Sequence, residues 1–391
     1  MHWEHLKLLH LLKNRELDEI YISIFFRTFA FALVTIFIPL YLLNELGYSF
    51  QEVLIFYLLF YGLMGVFAPF AGRVASRFGL KHTMLASIPL MILHYFLLFS
   101  LKYGKIHYAI PALVGCLAIT LFWVSFHSDF ANFSSNKKGG QQTSVWIAIN
   151  SGAATIAPII GAVMITRTGN FNFLFLLVIT IGMLSMIPLF FSKDIHPKTA
   201  FEYNKIFHKR RFKETISLAG AGFRGMSTVF WPILIFLILG TYLDLGKIAS
   251  LSGLFVSMFA IFSGQLTIKM RYKNIIAIGT IFNSVTWFIR SFFRTFFSLF
   301  AVTFAGLLSF TFADVAFHAR AYTRARKSHH VLDYIVYREI CYSLGRIVLL
   351  LILFGLYHFM SNNFVQEIAL KNTLTGAFII TGLAVLAMNF S

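Results

Sequence analysis

Arg27, Arg224, Arg338, Glu339 and Arg346 lie inside long apolar runs of this 391-residue chain. A charge at the centre of a bilayer costs about 2.5–3.5 kcal/mol on insertion scales, so such residues face a cavity or a partner. Glu339 and Arg346 are spaced to return to one helix face two turns apart, and Arg338 and Tyr342 share another face. A carboxylate set between arginines can be an ion pair bracing a gate. It can also be a proton-coupling site, because an anion bound nearby changes its proton affinity. Two further groups repeat each other: Phe126-His127-Ser128-Asp129 and Asp314 with Phe317-His318. A His beside a carboxylate can relay protons near neutral pH, but its repetition favours a structural or gating role.

The elements that hold these residues are membrane helices. Hydrophobic residues make up 58% of the chain and charged residues 12%, about half the charge of a soluble domain. Hydropathy places spans at 19–43, 52–72, 83–101, 106–130, 141–166, 171–192, 214–242, 247–268, 274–291, 296–318, 334–358 and 371–390. Most of the 33 Lys and Arg fall in the N-terminal tail and in the loops after the even-numbered spans. The opposite loops carry only Lys102, Lys105, Arg167, Lys247, Arg290, Arg294 and Lys371. That asymmetry predicts cytoplasmic termini in an inner-membrane, multi-pass protein. It also accounts for most of the net charge of +18 without a folded basic domain, which argues against nucleic-acid binding. Residues 1–18 read as an amphipathic surface segment, and residues 193–213 as a basic linker held near anionic lipid.

The chain also repeats itself. Gly72 to His82 returns as Gly264 to Lys273, Val34 to Leu40 as Ser227 to Ile233, and His127 as His318, all offset by about 192 residues. This implies two six-helix halves, 19–192 and 214–391, related by an axis along the membrane normal. The first repeated stretch, GRVASRFGLKH, resembles the loop between helices 2 and 3 of the major facilitator superfamily, with Gly72, Ala75, Arg77, Gly79 and Lys81 on the pattern. Arg73 adds a further cation, while Ser76 stands where the family usually has Asp. Gly152, Pro158 and Gly161 in the fifth span resemble the helix 5 motif of its antiporters, a packing and hinge surface.

The resemblance implies an all-α membrane protein of twelve transmembrane helices in two six-helix bundles related by pseudo-twofold symmetry. It also implies a central cavity lined by helices 1, 4, 7 and 10, with helix 11 packed beside it. Arg27 and Arg224 would then be candidates for an anionic group on a substrate. Their repeat counterparts, Gly220 and Phe31, are uncharged, as expected of features matched to one asymmetric solute. The coupling or gating candidates are His127, Asp129, Asp314, His318, Arg338, Glu339 and Arg346. The expected function is secondary transport of a small anionic or amphipathic solute by a monomer, as a proton-coupled exporter. The alternative is a scaffold or sensor that kept the fold. No phosphate-binding loop, HExxH or cysteine cluster is present in the sequence, so no cofactor, metal or ATPase activity is expected.

Overall fold

The computed structural model describes residues 15–104, 106–135, 138–190, 201, 206, 212–328 and 330–390. The surface segment therefore falls outside the described residues except where it enters α1, and the basic linker falls outside them almost entirely.

Among the described residues, ten helices are long and apolar enough to cross a membrane, and two shorter apolar ones complete a set of twelve. They are α1 (Arg15–Ala32), α2 (Phe50–Phe78), α3 (Leu80–Leu101), α4 (Ala109–Phe133), α5 (Gly139–Thr168) and α6 (Asn172–Leu184). The second half holds α7 (Phe212–Leu239), α8 (Tyr242–Lys269), α9 (Tyr272–Phe292), α10 (Phe296–Lys327), α11 (Val331–Asn363) and α12 (Gln366–Phe390). Large apolar side chains such as Val66, Phe70, Phe282, Phe297 and Leu351 are exposed on the outer surface, as a lipid-facing belt requires.

Local chemistry sets the breaks. Ser49 and Glu52 form a reciprocal capping box at the start of α2. Thr295 and Ser298 do the same for α10. Gly79 alone separates α2 from α3, at φ 93° and ψ 156°, a backbone region essentially reserved for glycine. The expected basic loop is therefore a helix–glycine–helix corner. Gly72, Arg73 and Arg77 belong to the last turns of α2, and Lys81 is buried in the first turn of α3.

Several expected boundaries move. The first span is not one helix: α1 stops at Ala32 and the chain resumes at Ile38–Leu40, followed by a π-turn at Tyr41–Glu45. Pro39, which cannot donate to the preceding turn, sits in the first positions of the resumed helix, just after that break. Helix α10 runs on to Lys327, because its polar extension continues the helix beyond the apolar run. Asp314 and His318 thus lie within α10 and not at its end. Lys247 and Lys371 lie in the opening turns of α8 and α12, not in loops.

Helices α1–α6 pack among themselves, as do α7–α12. Between the halves the main seams are α2 against α11 and α5 against α8. A shift of six helices exchanges these two seams, as a twofold axis along the membrane normal demands. The α5–α8 seam contains the helix 5 motif. Pro158 interrupts the ladder there, and the Ile159 N–H donates to Ser250 Oγ of α8 at 3.0 Å. Gly246 of α8 lies against the Pro158 carbonyl and Ala162. Gly161 faces inward within its own half, where the Leu33 backbone occupies the space of a side chain.

Candidate functional site: a cationic cavity between the halves

A cavity of about 590 Å³ lies between the two bundles. Its wall contains Arg27, Arg224, Arg290 and Arg346, and no Asp, Glu or Lys among the described residues. Each arginine is held against aromatic faces, which stabilise a cation without neutralising it. The Arg27 guanidinium lies 3.6 Å from the Phe122 ring centroid and 5.3 Å from that of Trp123. Arg224 lies 3.1 Å from the centroid of Phe310. Arg290 is set between Trp287, at 3.7 Å, and Trp231, at 4.6 Å. Arg346 faces Tyr61 at 5.7 Å and donates to Met64 Sδ at 2.9 Å.

The backbone prepares this arrangement. Helix α2 passes through a π-turn at Leu58–Gly62, which turns Phe60 and Tyr61 toward the cavity. Gly306 of α10 leaves the space that the Arg290 guanidinium fills. Arg290 is 2% exposed, and among the described residues its Nε and Nη1 have no hydrogen-bond partner; neither has Nε of Arg224. Donors desolvated in this way are strongly favoured to meet an acceptor.

Contacts between the halves cross both ends of the cavity. At the end carrying the Gly79 corner, His127 of α4 hydrogen-bonds Tyr322 of α10 at 2.6 Å and stacks on His318 with ring centroids 5.6 Å apart. Trp146 of α5 meets His318 edge-on, and Arg326 of α10 donates to Ser134 and to the Ala131 carbonyl. At the opposite end the closure is aromatic. Tyr242 packs on Phe37 and Phe171, while Phe50 packs on Phe230 and Tyr357.

The structure distributes the sequence candidates among three places. Arg27 and Arg224 line the cavity, together with Pro158. His127, His318 and Asp314 cluster at the Gly79 end, where His318 Nε2 is 3.4 Å from Asp314 Oδ1. Asp129 is fully buried on α4 near that end. Gly152 packs against Ser257 of α8. Arg73 and Arg77 are exposed.

Three expectations need correction. Glu339 pairs with its neighbour Arg338, at 2.6 Å, and not with Arg346. Seven residues are about 10.5 Å of helix rise, too far for a direct pair, whereas the long Arg338 side chain folds back onto the adjacent carboxylate. Arg346 instead reaches the cavity, so α11 contributes to the wall. Arg290, counted among loop cations, is buried in the wall at the end of α9. The available signal was its position three residues after Trp287, with apolar Phe292 and Phe293 continuing beyond it. His94 donates or accepts within its own bundle, 2.7 Å from the Pro111 carbonyl, in keeping with packing.

Comparisons with known proteins agree with this architecture. A search of curated proteins finds no sequence match. Among solved structures, the human organic anion transporter MFSD10 (TETRAN) superposes with a TM-score of 0.68 at 12% identity, covering 95% of this chain and 99% of that one. The transporter FucP in its outward conformation gives a TM-score of 0.65 at 12% identity, over 94% of this chain and 97% of that one. The E. coli fucose:proton symporter FucP carrying N162A gives 0.64 at 12% identity, over 95% and 99%. At such identity these likenesses establish the fold. The family model described as Major Facilitator Superfamily matches residues 20–350. With that match spanning both halves of a twelve-helix membrane fold, the chain belongs to the Major Facilitator Superfamily of transporters.

Proposed function

We propose that this transporter carries a small amphipathic organic anion across the cytoplasmic membrane by alternating access, with the Gly79 end and both termini cytoplasmic. The observation that carries the reading is the cavity wall, with four arginines and no carboxylate among the described residues. Such a wall repels cations and offers neutral solutes nothing to offset the burial of its charges. Its aromatic faces suit a substrate with an apolar body. One fold neighbour is named an organic anion transporter. The anion reading here nevertheless rests on this chain's own arginines.

The gate assignment follows from position. His127, His318, Tyr322 and Arg326 join the halves at the Gly79 end and must part for the cavity to open there. Asp314 lies within electrostatic reach of Arg224 on the cavity side and contacts His318 on the gate side. That position makes it the candidate for coupling the anion to a proton gradient, in a monomer that works as an exporter. Asp129 is the second carboxylate candidate.

The test is uptake of naphthalene-2-sulfonate by proteoliposomes. We expect uptake above protein-free liposomes, reduced tenfold or more in Arg27→Met and in Arg224→Met. Uptake no faster than in protein-free liposomes, with no binding of the probe to the purified protein, would favour the non-transporting scaffold.

A further inference from the structure

The four arginines are caged in two groups, Arg27 and Arg346 on rings that include Phe122, Trp123 and Tyr61 of the first half and Arg224 and Arg290 on Phe310, Trp231 and Trp287 of the second, and from these two poles we infer that the substrate carries two anionic groups, one at each end of an apolar body. The inference rests on the anion reading above and extends it to a bipolar dianion. The first pole is Arg27 with Arg346. Tyr61 lies within electrostatic reach of both, and Arg346, though on α11 of the second half, docks on α2 of the first through Met64 and Tyr61. The second pole is Arg224 with Arg290, both lining the cavity and both held on aromatic rings of the second half.

The two poles are built from different aromatic cages. Phe122 and Trp123 of α4 hold Arg27, whereas Phe310 of α10 holds Arg224 and the Trp287–Trp231 pair holds Arg290. The rest of the wall is largely apolar, with Ile119, Ala154 and Ile248 among its residues.

Arg290 makes the second pole a constructed site. It reaches the cavity from α9, through a gap that Gly306 leaves on α10, and two of its three nitrogens have no acceptor among the described residues. A guanidinium so placed is costly unless an acceptor arrives, and like charges in one low-dielectric cavity repel. Asp314 offsets Arg224 in part, but Arg290 has no carboxylate contact among the described residues. A single anionic group can answer one pole only. A second group, separated by an aromatic or aliphatic spacer, answers the other. Because Arg27 and Arg224 stand on helices α1 and α7 of opposite halves, a bipolar substrate also draws the halves together around itself.

The experiment is calorimetric titration of the purified full-length protein in detergent, at constant ionic strength, with three probes. These are naphthalene-2-sulfonate, naphthalene-2,6-disulfonate and naphthalene-1,8-disulfonate, which have one charge, two distant charges and two adjacent charges. We expect the 2,6-isomer to bind at least tenfold tighter than either of the others. Arg290→Met should bring its affinity to within about threefold of the monosulfonate's. If that variant does not fold, Arg224→Met removes the other arm of the same pole and should have the same effect. Equal affinity for the two disulfonates would overturn the two-pole arrangement and leave anion transport standing, since total charge would then suffice. Binding of none of the three probes would remove both readings. Persistence of the 2,6 preference in a folded Arg290→Met or Arg224→Met variant would exclude the Arg224–Arg290 pole.

Discussion

His127 and Tyr322 are joined by a 2.6 Å hydrogen bond that ties α4 of the first half to α10 of the second. Both side chains are buried, and the same His127 ring stacks on His318, so the contact sits at the centre of the closed end. Under the proposed alternating access, this bond breaks each time that end opens.

Tyr322→Phe should therefore favour opening at the Gly79 end. A hydrogen bond of this kind contributes about 0.5–1.5 kcal/mol net, so the open fraction should rise by about twofold to tenfold. The rate at which a membrane-impermeant maleimide, applied from that face, labels a single cysteine at Ala154 in the cavity wall reports the change. An unchanged rate would mean that the bond is not part of the gate.

The pair Arg338–Glu339 predicts a loss of stability that a double substitution relieves. Arg338 is fully buried and Glu339 is 2% exposed. Glu339→Gln leaves the cation without its carboxylate and should cost about 3–5 kcal/mol, seen as a lower thermal midpoint in detergent. Arg338→Met with Glu339→Leu removes both charges and should recover most of that loss. Were Glu339→Gln as stable as the parent, with only gradient-driven accumulation lost, the carboxylate would be a coupling site and not a brace.

The two glycines of the helix 5 motif should respond differently to alanine. At Gly161 a methyl group would meet the Leu33 carbonyl, a backbone atom that cannot turn aside. At Gly152 it would meet only the Ser257 hydroxyl, which can. Gly161→Ala should cost about 1–3 kcal/mol, while Gly152→Ala should be neutral or gain up to about 1 kcal/mol from helix propensity. Thermal unfolding followed by tryptophan fluorescence separates the two.

Sidedness is checked with Arg77→Cys and Tyr103→Cys, both exposed positions near opposite ends of the fold. An impermeant reagent outside intact cells should label Tyr103→Cys and spare Arg77→Cys. The reverse pattern would invert the proposed orientation.

Much of the frame was legible because its signals are local. A membrane helix needs only an uninterrupted apolar run, and Gly79 announced a corner because no other residue adopts its backbone easily. The repeat around His127 and His318 was visible as residue identity alone, although not that the two rings would stack on each other. The family's helix 2–3 pattern was readable without its Asp, since Gly72, Arg77, Gly79 and Lys81 keep its spacing.

What the sequence by itself determined is therefore the number of spans, the concentration of its cations in the loops at one end of them, and the presence of charges that cannot rest in lipid. Only the tertiary structure decided which of those charges meet. Arg290 and Arg346 join Arg27 and Arg224 because α9 and α11 are rotated toward the cavity, and that rotation is set by packing against helices far away in the chain. Glu339 chose Arg338 because reach along a helix depends on side-chain length as well as on angular spacing. Hydropathy is a property of each segment, whereas convergence is a property of how twelve segments pack.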